Sequence, residues 1–190
     1  MNRPATLLVL LLAGLLAGCG GGSRPTGIRT AETPADDVAE YQPRWRSHTV
    51  DSTQYRKVFL AGTIDMGRSA DWQAALVARF RDSIGGRWLF FNPRRREFHA
   101  SPAEMEYQVA WELAHLEAAD LIVMNLLGDS RSPISLLEMG LYARSGKLFV
   151  ACSPDYYRYD NVRITCRRYG VPIYDSLTAL LDDLPQQSDE

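Results

Sequence analysis

From Lys57 onward, short apolar runs alternate with stretches of helical period, and that alternation constrains the fold more than any other feature of the 190-residue chain. The runs are Lys57–Gly62, Trp88–Phe91, Leu121–Leu127, Lys147–Cys152 and Val171–Tyr174. Between them, Asp71–Ile84 repeats Trp72, Ala75, Leu76, Ala78 and Phe80 at helical spacing and stops at Gly85-Gly86. Ser101-Pro102-Ala103-Glu104 has the form of a capping box with Pro at the first helical position, and its helix runs to about Ala118. Ser132–Arg144 and Ser176–Leu184 read as further helices, and Tyr156–Tyr169 as a loop with a short helix. Short buried strands joined by helices make βαβ units, so the expected fold is α/β: a doubly wound, five-stranded parallel sheet covered on both faces. Five strands favour a flavodoxin-like order, which puts a ligand at the carboxyl ends of the first and third strands. Those ends are the loops Gly62–Gly67 and Gly128–Ser132.

The second of these loops leads into Ser132-Pro133-Ile134-Ser135-Leu136-Leu137-Glu138-Met139-Gly140-Leu141-Tyr142-Ala143. Ser132 suits the N-cap and Pro133 the first helical position. Leu136, Leu137, Leu141 and Ala143 read as the apolar face, and Glu138 breaks it. Two readings stand side by side: an acidic residue favoured by the helix dipole and turned to water, or a carboxylate held at the mouth of the sheet. Glu112 poses the same choice inside Val109-Ala110-Trp111-Glu112-Leu113, because a charge in apolar surroundings needs a partner or a task.

Ahead of this domain, Met1-Asn2-Arg3 is a basic head, and Leu7–Leu16 is an apolar core shorter than a comfortable membrane span. Leu16-Ala17-Gly18-Cys19 resembles the bacterial lipoprotein box, which implies that residues 1–18 are a removed signal peptide and that Cys19 is the lipid anchor. The mature protein is then expected at the bacterial cell envelope, on a membrane rather than across it, at the periplasmic face of the outer membrane in a Gram-negative host. Residues 19–53, rich in Gly, Pro, Thr, Ala and charge, read as a flexible tether, and 54–186 as one domain. A net charge of −2 and the absence of a basic stripe give no sign of nucleic-acid binding. Arg94-Arg95-Arg96 is the one basic cluster. Cys152 and Cys166 are candidates for a disulfide in an exported protein. The histidines have no metal-ligand spacing, and no metal or cofactor is expected.

Five segments together resemble the nucleoside 2-deoxyribosyltransferase-like family over about Lys57–Leu184. They are Val58–Asp65, Phe91-Asn92-Pro93-Arg94-Arg95, Trp111-Glu112, Ser132–Gly140 and Asp160-Asn161-Val162. The resemblance implies the same doubly wound sheet. It also implies that Glu138, in its Glu-hydrophobic-Gly context, is the nucleophile. Glu112, eight positions before Asp120, then assists at the base or sugar. Where the transferases carry an Asp six residues before the nucleophile, this chain has Ser132, closer to the deoxynucleotide N-hydrolase branch. Asn161 is the match to a residue that completes the pocket of a neighbouring subunit, which implies a homodimer.

The chemistry expected of these residues is cleavage or transfer at the N-glycosidic bond of a nucleoside or nucleotide. A carboxylate stabilises or traps an oxocarbenium-like C1′, and a second carboxyl group protonates the departing base. Gly62 is expected to let backbone approach the ligand, with Thr63 and Asp65 bonding sugar or base. The Ser132 helix start, with Arg94 or Arg95 added, suits a phosphate. Two alternatives stand beside this: a non-catalytic nucleotide-binding or interaction lipoprotein, and an NAD-type glycohydrolase.

Overall fold

The computed structural model describes residues 37–84, 86–97 and 101–184; the signal segment, Cys19 and the tether as far as residue 36 lie outside them. Strands β1 (Val38–Gln42), β2 (Trp45–Arg46), β3 (Arg56–Gly62), β4 (Trp88–Phe91), β5 (Leu121–Leu126), β6 (Leu148–Cys152) and β7 (Ile173–Tyr174) form one sheet. Its order is β2-β1-β4-β3-β5-β6-β7. Helices α1 (Trp72–Ser83), α2 (Pro102–Ala118), α3 (Pro133–Tyr142), α4 (Tyr159–Tyr169) and α5 (Leu177–Asp183) fill the crossovers. The strands from β3 to β7 are all parallel and follow the flavodoxin-like order expected of them.

The sheet has seven strands rather than five, because part of the expected tether belongs to it. β1 runs parallel to β4, pairing Val38 with Trp88 and Tyr41 with Phe91, and buries Val38, Ala39 and Tyr41. Glu40 and Gln42 make this stretch read as a polar linker. In the fold Glu40 is satisfied by Asn92, whose Nδ2 donates to Oε1 at 2.7 Å. β2 then turns back antiparallel through Pro43-Arg44, with Arg44 at φ 62°, and shields the sheet edge.

Two apolar layers sandwich the sheet. Val58, Leu60 and Phe90 face α1 and α5 through Leu76, Phe80 and Leu180. Phe59, Ile122, Met124 and Val150 face α2, α3 and α4 through Leu116, Met139, Tyr142, Val162 and Cys166. The two layers differ at their outer surfaces. In α2 only Leu116 is buried, while Met105, Val109 and Leu113 are exposed. In α3 the buried side chains are Ser135, Glu138, Met139 and Tyr142. Of the expected apolar face, Ala143 is buried and Leu136 packs half-buried against the core, while Leu137 and Leu141 are 61% and 58% exposed. Cys152 and Cys166 are buried free thiols, not a disulfide; burial pushes them up to about 12 and about 11.

Candidate functional site

β3 and β5 end side by side, with Gly62 opposite Asn125. Gly62 has φ 124°, and a Cβ there would stand 2.2 Å from the Asn125 carbonyl oxygen. Only glycine fits. The backbone that presses on Gly62 is that of the neighbouring strand, which by itself requires glycine here. The chain continues into Thr63, whose N–H donates to the same Asn125 oxygen at 2.9 Å.

Thr63 is fully buried, and the protein uses its hydroxyl completely. Its Oγ1 lies 2.8 Å from Ser130 Oγ and 2.9 Å from Ser132 Oγ, the two serine hydroxyls are 2.7 Å apart, and Leu127 N–H donates to Oγ1 at 3.0 Å. This closed triangle ties the loop after β3 to the loop after β5. It corrects two expectations: Thr63 is not free to hold a sugar, and Ser132 does not cap α3. Ser132 sits at φ 40°, ψ 53° and makes no side-chain cap, so the first N–H groups of α3 stay uncapped beside the loop. Nothing in the sequence marked Ser130 for this role. Tyr156 adds a second brace, its hydroxyl donating to the Arg131 carbonyl at 2.6 Å.

The loop after β3 also carries two successive residues in the left-handed region, Asp65 at φ 46° and Met66 at φ 53°. Asp65 is half-buried there. Arg94 holds the far end of this loop: Nη2 donates to the Ser69 carbonyl at 2.8 Å and to Ser69 Oγ at 3.1 Å, and Nε lies 3.7 Å from Asp71. With its side chain 11% exposed and engaged in this way, Arg94 is a brace rather than a displayed anion ligand. Arg95 is likewise spent within the protein, on Glu104 and Gln108.

Glu138 comes from the second turn of α3 and is 8% exposed. Among the described residues no hydrogen bond reaches its carboxyl. Burial, reinforced by the charge of Glu112, pushes it up to about 8. Glu112, half-buried on α2, is also raised above the ordinary carboxylate range, by burial against the opposing pull of Gln108 and Arg95. Gln108 Nε2 donates to Glu112 Oε1 at 2.7 Å. The structure thus brings Glu138 and Glu112 within electrostatic reach of one another, and it favours the in-facing reading of both. Such a pair titrates as a dyad and holds its proton more tightly than an ordinary carboxyl does.

Asn161 does not join this pair within one protomer. It lies on α4 in a groove of about 340 Å³ against Leu136, Met139 and Gly140 of α3, a groove that Glu138 does not line. Tyr156–Tyr169 is a loop followed by a helix, as expected; the helix, α4, starts at Tyr159 and is ended by Gly170 in the left-handed region.

A family profile described as nucleoside 2-deoxyribosyltransferase like matches residues 55–156. That span contains every site residue named above except Asn161 and Cys19. No curated protein matches the chain in sequence. Among solved structures, a conserved protein from Enterococcus faecalis V583 is similar in fold, with a TM-score of 0.51 and 15% identity. The likeness covers 70% of this chain and 99% of that one.

Proposed function

The chain belongs to the nucleoside 2-deoxyribosyltransferase-like family, and on that premise we propose that it breaks or transfers the N-glycosidic bond of a deoxynucleoside or nucleotide. Family membership supports glycosyl transfer or hydrolysis in general; the observation that carries the finer reading is the coupled pair Glu138 and Glu112. A buried carboxyl that accepts no hydrogen bond from the protein costs stability and serves no packing purpose. Glu138 attacks C1′ as the bond to the base breaks, forming a glycosyl ester. Glu112 gives its proton to the departing base nitrogen and is left as a carboxylate. A second base or water then releases the sugar.

The uncapped start of α3 supports a phosphorylated sugar, since its N–H groups and dipole favour an anion there. Neither Arg94 nor Arg95 adds to that site in this reading. We place the mature protein on a bacterial membrane through Cys19, a reading supported by Leu16-Ala17-Gly18-Cys19.

The test is to incubate purified protein with a panel of deoxynucleosides, nucleotides and NAD, and to separate any free base by chromatography. Base release from a deoxynucleoside or deoxynucleotide is expected, and Glu138→Gln should abolish it. Release from NAD alone would favour the glycohydrolase reading. Tight nucleotide binding without release would favour a binding lipoprotein.

A further inference from the structure

Five side chains form a continuous hydrogen-bonded line that ends on Glu112. Arg44 Nη2 donates to Glu104 Oε1 at 2.7 Å, and Arg95 Nη1 donates to Glu104 Oε2 at 2.7 Å. Arg95 also donates to the Glu104 carbonyl at 3.1 Å, and its Nε–H is given to Gln108 Oε1. Gln108 Nε2 then donates to the Pro93 carbonyl at 3.0 Å and to Glu112 Oε1 at 2.7 Å.

The polarity of this line is not free. A guanidinium only donates, so the atom of Gln108 that meets Arg95 has to be the amide oxygen. The amide nitrogen is therefore turned the other way, and both of its hydrogens are consumed, one by Pro93 and one by Glu112. At Glu112 the consequence is chemical. Oε1 faces a fixed donor and serves as an acceptor, which leaves Oε2 as the oxygen able to carry a transferable proton.

We infer that Arg95 and Gln108 are positioning residues that select which oxygen of Glu112 holds the proton and aim that oxygen at the ligand. This rests on the reading of Glu112 as the proton donor and says how the fold prepares it. When the glycosidic bond breaks, its electron pair goes to the base nitrogen, the proton leaves Oε2 for that nitrogen, and Glu112 becomes a carboxylate. The new charge is met at once by the Gln108 N–H already pointing at Oε1. The line thus both places the proton and stabilises what remains after it has gone.

The groups that act on Glu112 are few. Glu138 faces it from α3, and Arg95 faces it from the loop after β4. On its own helix, Glu104 is committed to the two arginines. His115, one turn on, stacks on Trp111 at 4.0 Å and is held below its ordinary value by burial.

The experiment is a carboxyl ¹³C NMR titration of the full mature chain, made without substrate, on wild type, Gln108→Met and Arg95→Lys. Methionine keeps the size of glutamine and removes the donor; lysine keeps the charge of arginine and removes the Nε–H. Each variant is expected to move the Glu112 midpoint up by about one pH unit. The acid limb of the base-release profile should move with it while KM changes little. An unchanged Glu112 midpoint in Gln108→Met overturns the inference. Should that variant fail to fold, an unchanged midpoint in Arg95→Lys overturns it instead. Midpoints that shift in a protein releasing no base from any substrate leave this inference standing and remove the proposed function.

Discussion

Burial makes Glu138 costly to ionise, and the cost has a sign that can be measured. Its folded pKa, about 8, lies above the ordinary value near 4.5, so the folded state holds a proton that the unfolded chain has released. Stability that is fully present below pH 4 is lost as pH rises toward 8, at up to about 1.4 kcal/mol per pH unit. Glu138→Gln removes that slope, and denaturant unfolding at pH 5 and pH 8 is expected to show the variant gaining on wild type at the higher pH. Equal slopes in the two proteins would mean that Glu138 is not the buried acid. The same dyad governs the rate. The proposed chemistry needs a proton on Glu112 and Glu138 ionised, whereas burial holds a proton on Glu138 in the empty site. Above about pH 8 the last proton of the pair is lost, so kcat/KM is expected to fall about tenfold per pH unit there. A profile still rising at pH 9 would contradict the assignment.

At the scale of elements, the site depends on two loops being fastened to each other. Thr63→Val removes the centre of the hydroxyl triangle and leaves the Leu127 N–H and two serine hydroxyls short of a partner. A loss of about 1–3 kcal/mol is expected by denaturant unfolding. Gly62→Ala should cost more, over about 3 kcal/mol, because the methyl group would enter the Asn125 backbone at a φ alanine avoids. Much of this scaffold was legible in the sequence. Periodicity placed β3 to β7 and four of the helices within a residue or two, since continuous apolar runs and Gly stops report local geometry directly. What was hidden depends on neighbours. Val38–Gln42 reads as linker until β4 lies beside it. Ser132 reads as an N-cap until Thr63 and Ser130 claim its hydroxyl. Part of the inward face of α3 is hidden for a related reason. Leu137 and Leu141 look like core residues to any rule that equates apolar with buried, yet it is Ser135 and Glu138 that turn inward.

For the whole molecule, two expectations concern what it is attached to. Cys19→Ala should leave the protein unlipidated and release it from the membrane fraction, and a variant still fully sedimenting with membranes would remove the anchor. The second expectation follows from how unevenly apolar surface is distributed. Met105, Val109 and Leu113 on α2, Ile134, Leu137 and Leu141 on α3, and Ile164 on α4 are all exposed on one helix layer, while α1 and α5 display no exposed large hydrophobic residue. Concentrated apolar surface of this kind marks an interface. The charges on either side of α3 suggest how it pairs with a second copy. Glu106 and Glu117 are exposed on α2, and Arg167 and Arg168 on α4, as is Arg158 just before it. The expected arrangement is a two-fold axis parallel to α3 that would set α3 against α3 and the acidic helix of each subunit against the basic helix of its mate, an isologous contact of the commonest kind. In that arrangement the helices that carry Glu138 and Glu112 would be the ones at the contact, and Asn161 would be turned toward the partner. Wild type is expected to run as a dimer in light scattering, and Leu137→Glu with Leu141→Glu as a folded monomer. Reversing the charges of Glu106 and Glu117 should weaken the dimer, and reversing Arg167 and Arg168 as well should restore it. Mixing Glu138→Ala with Asn161→Ala protein should recover part of the activity if Asn161 completes the neighbouring pocket. A monomeric mass for wild type at micromolar concentration, with no recovery on mixing, rules the arrangement out.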